Sequence, residues 1–162
     1  MLEMFLDVES LPLWEMILRI VLAALCGLVI GWDRDSKNKP MDFRAYMIVA
    51  VATCLLALMG LELEAAYSHN GDKLAIDLSK IIAGVMTGIG FLGAGAIIQQ
   101  DDKKIVGTAT GASIWASAGM GMALGFGFYA LSIIGFIVLA IILVGGGKFM
   151  KHAFDKRDNE DI

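Results

Sequence analysis

The feature that most constrains this chain is a series of long apolar segments. Five can be drawn, covering residues 13–31, 45–61, 81–98, 105–124 and 126–147. An α-helix of about 20 residues crosses a hydrocarbon layer of ~30 Å. With 57% hydrophobic residues, the chain carries more apolar surface than a soluble domain of its length can bury. The sequence therefore predicts an all-α, polytopic membrane protein, a bundle of about five transmembrane helices surrounded by the lipid bilayer.

The positive charges predict how this bundle is oriented. The segments that fall on one side of a five-span protein hold ten of the thirteen Lys and Arg residues: Arg34, Lys37, Lys39, Arg44, Lys103, Lys104, Lys148, Lys151, Lys156 and Arg157. Loops rich in Lys and Arg stay in the cytoplasm. We therefore expect an external N-terminus, a transmembrane domain over residues 1–147, and a basic, partly disordered cytoplasmic tail over residues 148–162.

Glycines are concentrated in the third segment, "KIIAGVMTGIGFLGAGAIIQQ". Its G-x-G-x-x-G lacks the preceding strand and the later acidic residue of a dinucleotide site, so no nucleotide is expected. On a helix, one face carries Gly84, Gly88 and Gly95, and a second carries Ala83, Thr87, Gly90 and Ala94. Two small-residue faces predict a helix enclosed by neighbours, at the centre of the bundle with spans 1 and 4. The alternative is a helix broken at 88–95, with carbonyls exposed to an ion.

Matching small residues occur in the other spans. They are Ala23, Gly27 and Gly31 in span 1; Thr53, Ala57 and Gly60 in span 2; and Ala112, Ala116, Gly119 and Ala123 in span 4, beside Thr110, Ser113, Ser117 and Gly121. The hydroxyls of span 4 are expected to bond to their own helix or to a neighbour, and the alternative is that they line a permeation path. Surplus small-residue faces also predict a homo-oligomer, most simply a two-fold dimer.

Few ionisable residues suggest chemistry. Arg19 lies one turn after Glu15, which predicts an i, i+4 pair. Asp33, Arg34 and Arg44 predict an interfacial ion-pair cluster, with a cation or partner contact by Asp33, Asp35 or Asp42 as the alternative. Mg²⁺ is the ion that such a contact would bind, and no other cofactor is expected. Neither a nucleophile–base pair nor a basic stripe is visible, so we expect no enzyme activity and no nucleic-acid binding.

Four motifs then occur in order: "GLVIGWDR", "FRAYMIVAVAT", "VMTGIGFLGAGAII" and "GTATGASIWASAGMGMALGFG". Together they resemble the MgtC/SapB family over roughly residues 16–130. The resemblance assigns motif positions to Gly27, Gly31, Asp33, Arg34, Arg44, Gly88, Gly90, Phe91, Gly93, Gly95, Gly107, Thr110, Ser113, Trp115 and Gly119. The chain departs from the family pattern at Asp33, which replaces Glu; at Val106, which replaces Arg; and at Ala109, which replaces a polar residue.

The resemblance implies a multi-pass protein of the bacterial inner membrane. It implies a non-enzymatic regulator in magnesium homeostasis and adaptation to low Mg²⁺, linked to virulence, with the F-type ATP synthase as a membrane partner. The alternative is a transporter or channel for Mg²⁺ or another cation. Longer family members carry a soluble C-terminal domain, which is not expected in this sequence.

Overall fold

The computed structural model describes residues 11–37, 39, 41–69, 77–99 and 105–158, with only the course of the helix given for 68–69 and 146–158. These described residues form five helices: α1 (Leu13–Asp35), α2 (Phe43–His69), α3 (Leu78–Gly95), α4 (Thr108–Gly125) and α5 (Tyr129–Asp158). The all-α prediction with five helices is confirmed. Residues 159–162 of the predicted tail lie outside the described residues, and the backbone of α5 is helical as far as Asp158.

A short antiparallel ribbon separates α3 from α4. Its strands are β1 (Ile98–Gln99) and β2 (Ile105–Val106), with Ile98 opposite Val106 and Gln99 opposite Ile105. The predicted third span therefore extends beyond the end of α3, and the predicted fourth span begins before α4, because the apolar residues at 96–98 and 105–106 belong to this connection. Gly107 begins α4 with a φ of +97°. A Cβ at that position would strike the Ala96 carbonyl oxygen, so glycine is required there on both counts.

Within the described residues, three helices are long and apolar enough to cross a membrane: Leu13–Asp35, Phe43–Tyr67 and Leu78–Gly95. Tyr129–Gly145 is a shorter apolar helix. α4 is less apolar because Gly, Ala, Ser and Thr fill much of it, yet it has more buried positions than α1 or α3. Neighbouring helices surround much of α4, so its polar hydroxyls need not face lipid.

Helices α1, α2 and α4 form the core through close backbone contacts. A Cβ at Gly27 would lie 2.7 Å from the Cα of Met47, and one at Gly31 would lie 2.7 Å from the Cα of Phe43. On another side of α2, a Cβ at Gly121 would lie 2.7 Å from the carbonyl carbon of Ala50 and closer still to its oxygen. Real Cβ atoms do not approach backbone so closely. The close approach predicted at Gly27 and Gly31 of span 1 is thus confirmed, whereas in span 4 the packed face is the one with Gly121 and not the one with Ala112 and Gly119.

The prediction for the third span is wrong. In α3 only Ile89 and Gly93 are buried, and Gly93 packs against Gly111 of α4. A Cβ at Gly84, Gly88, Gly90 or Gly95 would meet no atom within 4 Å. α2, not α3, joins α1 and α4 at the centre, because the small faces of α1 and α4 are already occupied by α2. The broken-helix alternative is also wrong, since α3 is one continuous helix through Gly95.

The helices alternate in direction, so the bundle has two ends. The Arg19 end holds the start of α1, the end of α4 and the start of α5, which meet through Arg19, Gly125 and Tyr129. The Arg34 end holds the end of α1, the starts of α2 and α4, and Leu143 of α5, to whose carbonyl Lys37 donates a hydrogen bond. Helices α1 and α5 therefore run in the same direction, with α4 antiparallel to both.

Candidate functional site

A buried arginine joins three helices at the Arg19 end. Its side chain is 6% exposed, and it donates hydrogen bonds to Glu15 Oε1 (2.6 Å), to the Gly125 carbonyl oxygen (2.7 Å) and to the Tyr129 hydroxyl (3.1 Å). The Gly125 carbonyl is one of the acceptors left over at the C-terminus of α4, where a cation also complements the helix dipole. The predicted pair with Glu15 is confirmed. The α4 and α5 partners could not be predicted from the sequence, and through them Arg19 holds α1, α4 and α5 together.

Hydroxyl groups join α2 to α4 inside the core. Ser117 Oγ donates to the Tyr46 carbonyl oxygen at 2.9 Å, and Thr53 Oγ1 donates to the Ala118 carbonyl oxygen at 2.9 Å. Ser113 Oγ donates to Ala109 in its own helix at 2.7 Å. The expected bonding of these hydroxyls is therefore confirmed for Ser113 and Ser117. Both are buried against neighbouring helices, an arrangement that does not suit a water-facing stripe.

The three candidate metal-binding carboxylates lie at the Arg34 end of the bundle, but they do not share one set of partners. Asp33 Oδ1 accepts a hydrogen bond from Lys37 Nζ at 2.7 Å, and Asp42 pairs with Arg44. The pKa of Asp42 is held below its ordinary 3.8, chiefly by the hydrogen bond from Arg44. Asp35 is exposed. In the part of the chain that the structure describes, no three His, Cys, Asp or Glu side chains come together as a metal site would need. In place of the single ion-pair cluster predicted for Asp33, Arg34 and Arg44, the structure has separate pairs, Asp33 with Lys37 and Asp42 with Arg44.

A group of buried polar side chains, here the Arg34–Tyr46–Thr110 cluster, lies between α1, α2 and α4. Arg34 is 7% exposed, and Tyr46 and Thr110 are fully buried. The Tyr46 hydroxyl lies beside the Arg34 guanidinium and the Thr110 hydroxyl. Even so, Arg34 Nε, Tyr46 Oη and Thr110 Oγ1 have no hydrogen-bond partner among the described residues, and the same holds for Asp33 Oδ2. The sequence identified Arg34 and Thr110. It missed Tyr46, whose polar tip in an apolar span was the available signal.

The remaining motif positions divide into two kinds. Those at close helix contacts or at the start of α4 are Gly27, Gly31, Gly93 and Gly107. Those with an exposed side chain, or with no atom near a built Cβ, are Gly88, Gly90, Phe91, Gly95, Trp115 and Gly119. Val106, one of the three positions where the resemblance implies a departure, lies in β2. The alanine face predicted on α4 is also the less buried of its two faces, since Ala112 is exposed.

Known proteins match this chain over the region that contains these motifs. The MgtC family pattern matches residues 20–152. The chain is 35% identical to Protein SapB of Bacillus subtilis, over 78% of this chain and 55% of that protein. It is 33% identical to Protein SrpB of Synechococcus elongatus, over 89% of this chain and 81% of that protein. It is 28% identical to Protein MgtC of Salmonella typhimurium, over 81% of this chain and 52% of that protein.

No solved structure matches this chain. The chain spans about half the length of several curated relatives, SapB and MgtC among them. The family pattern nevertheless covers most of the chain and includes the core of α1, α2 and α4. Glycine contacts, apolar helices and sequence similarity agree: the chain belongs to the MgtC family of membrane proteins.

Proposed function

We propose that this protein is a non-enzymatic regulator of the bacterial inner membrane that acts in magnesium homeostasis and adaptation to low Mg²⁺. Membership of the MgtC family supports this proposal. Its site of action is the membrane itself, where it docks onto another membrane complex, with the F-type ATP synthase as the first candidate.

The observation that carries the proposal is the closed core of α1, α2 and α4. Backbone meets backbone at Gly27 and Gly121, and Ser117 and Thr53 donate their hydroxyl hydrogens to carbonyls of the facing helix. A cation pathway through one copy needs oxygen ligands that face water. Here the hydroxyls are used to hold helices together. This arrangement favours a regulator over a Mg²⁺ transporter.

Five spans with an external N-terminus fit this arrangement. α4 has 18 residues, about 27 Å at 1.5 Å per residue, which is close to the hydrocarbon thickness. Helix directions alternate, and Arg34, Lys37 and Arg44 lie at the end that the positive charges assign to the cytoplasm. Trp14 and Trp32 are exposed toward opposite ends of α1, where aromatic side chains anchor a span at the two interfaces.

The outer face of α3 is the surface through which two copies would associate. Gly84, Gly88 and Thr87 leave it flat, and no atom of the described residues lies within 4 Å of a Cβ built at either glycine. In lipid, small residues promote helix pairing because the backbones approach closely. Gly88→Cys in a cysteine-free background should therefore form a disulfide-linked dimer on oxidation, whereas Ile142→Cys on exposed α5 should not. Equal cross-linking at both positions would contradict this interface.

Growth in low Mg²⁺ tests the function. A bacterium deleted for its own MgtC-family gene should recover growth when this chain is expressed, and its cellular ATP should return to the wild-type level. In Gly121→Leu the new side chain would keep α2 and α4 apart, so this variant should restore neither growth nor the ATP level. Recovery with Gly121→Leu, or no recovery with a wild-type chain that reaches the membrane, would contradict the proposal.

A further inference from the structure

Three buried polar side chains from three helices converge at the Arg34 end. Arg34 comes from the last turn of α1, Tyr46 from the first turn of α2 and Thr110 from the first turn of α4. Each has an atom buried without a hydrogen-bond partner among the described residues. Buried polar groups in proteins are nearly always satisfied, and buried charges are paired. A guanidinium only donates, and each hydroxyl has a hydrogen to donate. An oxygen-rich anion would satisfy all three.

The start of α4 adds positive potential at the same place. Gly107 precedes this 18-residue helix and has no side chain with which to cap its first N–H groups. Free N–H groups and the helix dipole make such an N-terminus a site for anions. Thr110 belongs to this first turn. The unpartnered side chains and the helix N-terminus therefore both favour a negatively charged ligand.

The neighbouring charges leave this potential in place. Asp33 lies next to Arg34, and its buried Oδ2 has no hydrogen-bond partner among the described residues. Its Oδ1 accepts a hydrogen bond from Lys37, whose positive charge offsets that of the carboxylate and which also contacts the Leu143 carbonyl of α5. Asp33 thus faces α5, whereas Arg34 lies beside Tyr46 of α2. Asp42 is paired with Arg44. Arg34 is left as the charge that determines the sign of the site.

An apolar cavity lies at the same end of the bundle. Its volume is about 310 Å³, and its lining residues are Met41, Phe91, Leu92, Gly95, Ala96 and Ile98. Met41 and Ala96 also pack in the hydrophobic cluster that contains Tyr46, and the Ala96 carbonyl lies against Gly107 at the start of α4. Phe91 is 81% exposed at the cavity. A ligand with an anionic head and an apolar tail would contact both regions.

We infer that the Arg34–Tyr46–Thr110 cluster and the N-terminus of α4 bind a phosphate group, supplied by an anionic phospholipid whose acyl chain enters the apolar cavity at this end of the bundle. Free inorganic phosphate has the same headgroup chemistry and lacks the tail. This site is additional to the proposed regulatory function and does not depend on it.

Ligand-dependent stability of the full chain tests this inference. The protein is placed in nanodiscs of phosphatidylcholine, or of phosphatidylcholine with phosphatidylglycerol, and its thermal unfolding is followed with and without inorganic phosphate. Tyr46→Phe and Thr110→Val each remove one unpartnered hydroxyl and keep the side-chain shape, so both should fold. Arg34→Gln removes the charge. Arg44→Gln and Thr87→Val are the matched controls, since both side chains are exposed.

Phosphatidylglycerol should raise the unfolding temperature of the wild type, and native mass spectrometry should show it retained. Each hydroxyl variant should bind about tenfold more weakly, the loss of one hydrogen bond to a charged group, and Arg34→Gln should bind more weakly still. The controls should match the wild type. If inorganic phosphate stabilises the wild type, phosphatidylglycerol does not, and the same variants lose the effect, the phosphate site stands and its ligand is the free ion. Equal stability in all conditions, or wild-type binding by Tyr46→Phe and Thr110→Val, would overturn the inference.

Discussion

Two glycines of α4, only two residues apart, should respond in opposite ways to the same substitution. A Cβ at Gly121 would collide with the Ala50 carbonyl group and lie within contact distance of Thr53 Oγ1, whereas a Cβ at Gly119 would meet no atom within 4 Å. Gly121→Ala must therefore push α2 away from α4. Gly119→Ala adds one methyl group without meeting a neighbour.

The expected difference follows from these distances. The Cβ of Gly121→Ala would lie 2.7 Å from the Ala50 carbonyl carbon and closer still to the Ala50 carbonyl oxygen and to Thr53 Oγ1, so α2 would have to move by more than the 0.7 Å that separates 2.7 Å from ordinary contact at 3.4 Å. Overpacking of this kind costs about 1–3 kcal/mol. Separation also weakens the hydrogen bond from Thr53 to the Ala118 carbonyl, worth about 1 kcal/mol. Replacing glycine by alanine in a helix returns about 0.5–1 kcal/mol. We expect Gly121→Ala to lose about 2 kcal/mol, and Gly119→Ala to be unchanged or slightly more stable.

Cys54 is a built-in reporter for this experiment. It is fully buried in α2, whereas Cys26 is half-buried, so Cys26→Ala leaves one protected thiol. The rate at which a thiol reagent modifies Cys54 in detergent measures how often the core opens. A loss of about 2 kcal/mol should raise that rate about thirtyfold in Gly121→Ala. In Gly119→Ala the rate should stay the same or fall.

Equal rates for the two variants would refute the reasoning, because the argument depends on contact with α2 and both substitutions change the helix propensity equally. Faster modification in Gly119→Ala than in Gly121→Ala would show that the opposite face of α4 is the packed one.

Three further predictions follow from the described contacts. Arg19→Gln should lower the free energy of unfolding by about 2–3 kcal/mol, measured by thermal melting, because the Gly125 carbonyl loses a buried charged donor. Gly107→Ala should lower the unfolding temperature and the helix content measured by circular dichroism, because its φ of +97° is left-handed and its Cβ would strike backbone. The pKa of Asp77 is lowered, chiefly by the hydrogen bond from the Ser79 hydroxyl. Asp77 should therefore stabilise the start of α3 fully above its ordinary pKa of 3.8 and lose this effect as the pH falls through its lower folded pKa, and amide exchange at Ser79 would measure the loss.

Each of these has a matched control. Arg44→Gln removes an exposed arginine and should leave the unfolding temperature nearly unchanged. Gly95→Ala adds a Cβ that meets no atom within 4 Å, so its helix content should not fall. Asp77→Asn keeps an oxygen that can accept from Ser79, so its amide exchange should lose the acid-dependent step. A control that behaves like its partner would contradict the contact assigned to that partner.

The sequence was sufficient for the helices and for some of their contacts. Apolar segments near 20 residues predicted five helices, and the four-residue spacing of Gly27 and Gly31 predicted the close approach of α1. The spacing of Glu15 and Arg19 predicted their pair. These features are local, because the residues that determine them lie within a turn or two of one another.

The sequence was insufficient where the outcome depends on competition between helices. Gly84 and Gly88 resemble packing residues as closely as Gly27 does, but only one helix can occupy a given face of α1 or α4, and α2 occupies it. The C-terminal carbonyl of α4 and the hydroxyl of Tyr46 acquire their neighbours from distant parts of the chain. For the same reason, the family motif identified Arg34 and Thr110 without indicating that Tyr46 lies between their helices.

The closed core of α1, α2 and α4 supports the proposed regulator, because its described residues hold the helices together and do not line a cation path. Mg²⁺ entry into sealed vesicles containing the purified protein and an internal Mg²⁺ indicator tests it most directly, with protection of Cys54 confirming that the protein is folded. We expect entry at the rate of protein-free vesicles. Saturable Mg²⁺ uptake by folded protein, lost when Ser117→Ala removes a core hydroxyl, would contradict the account and identify a transporter.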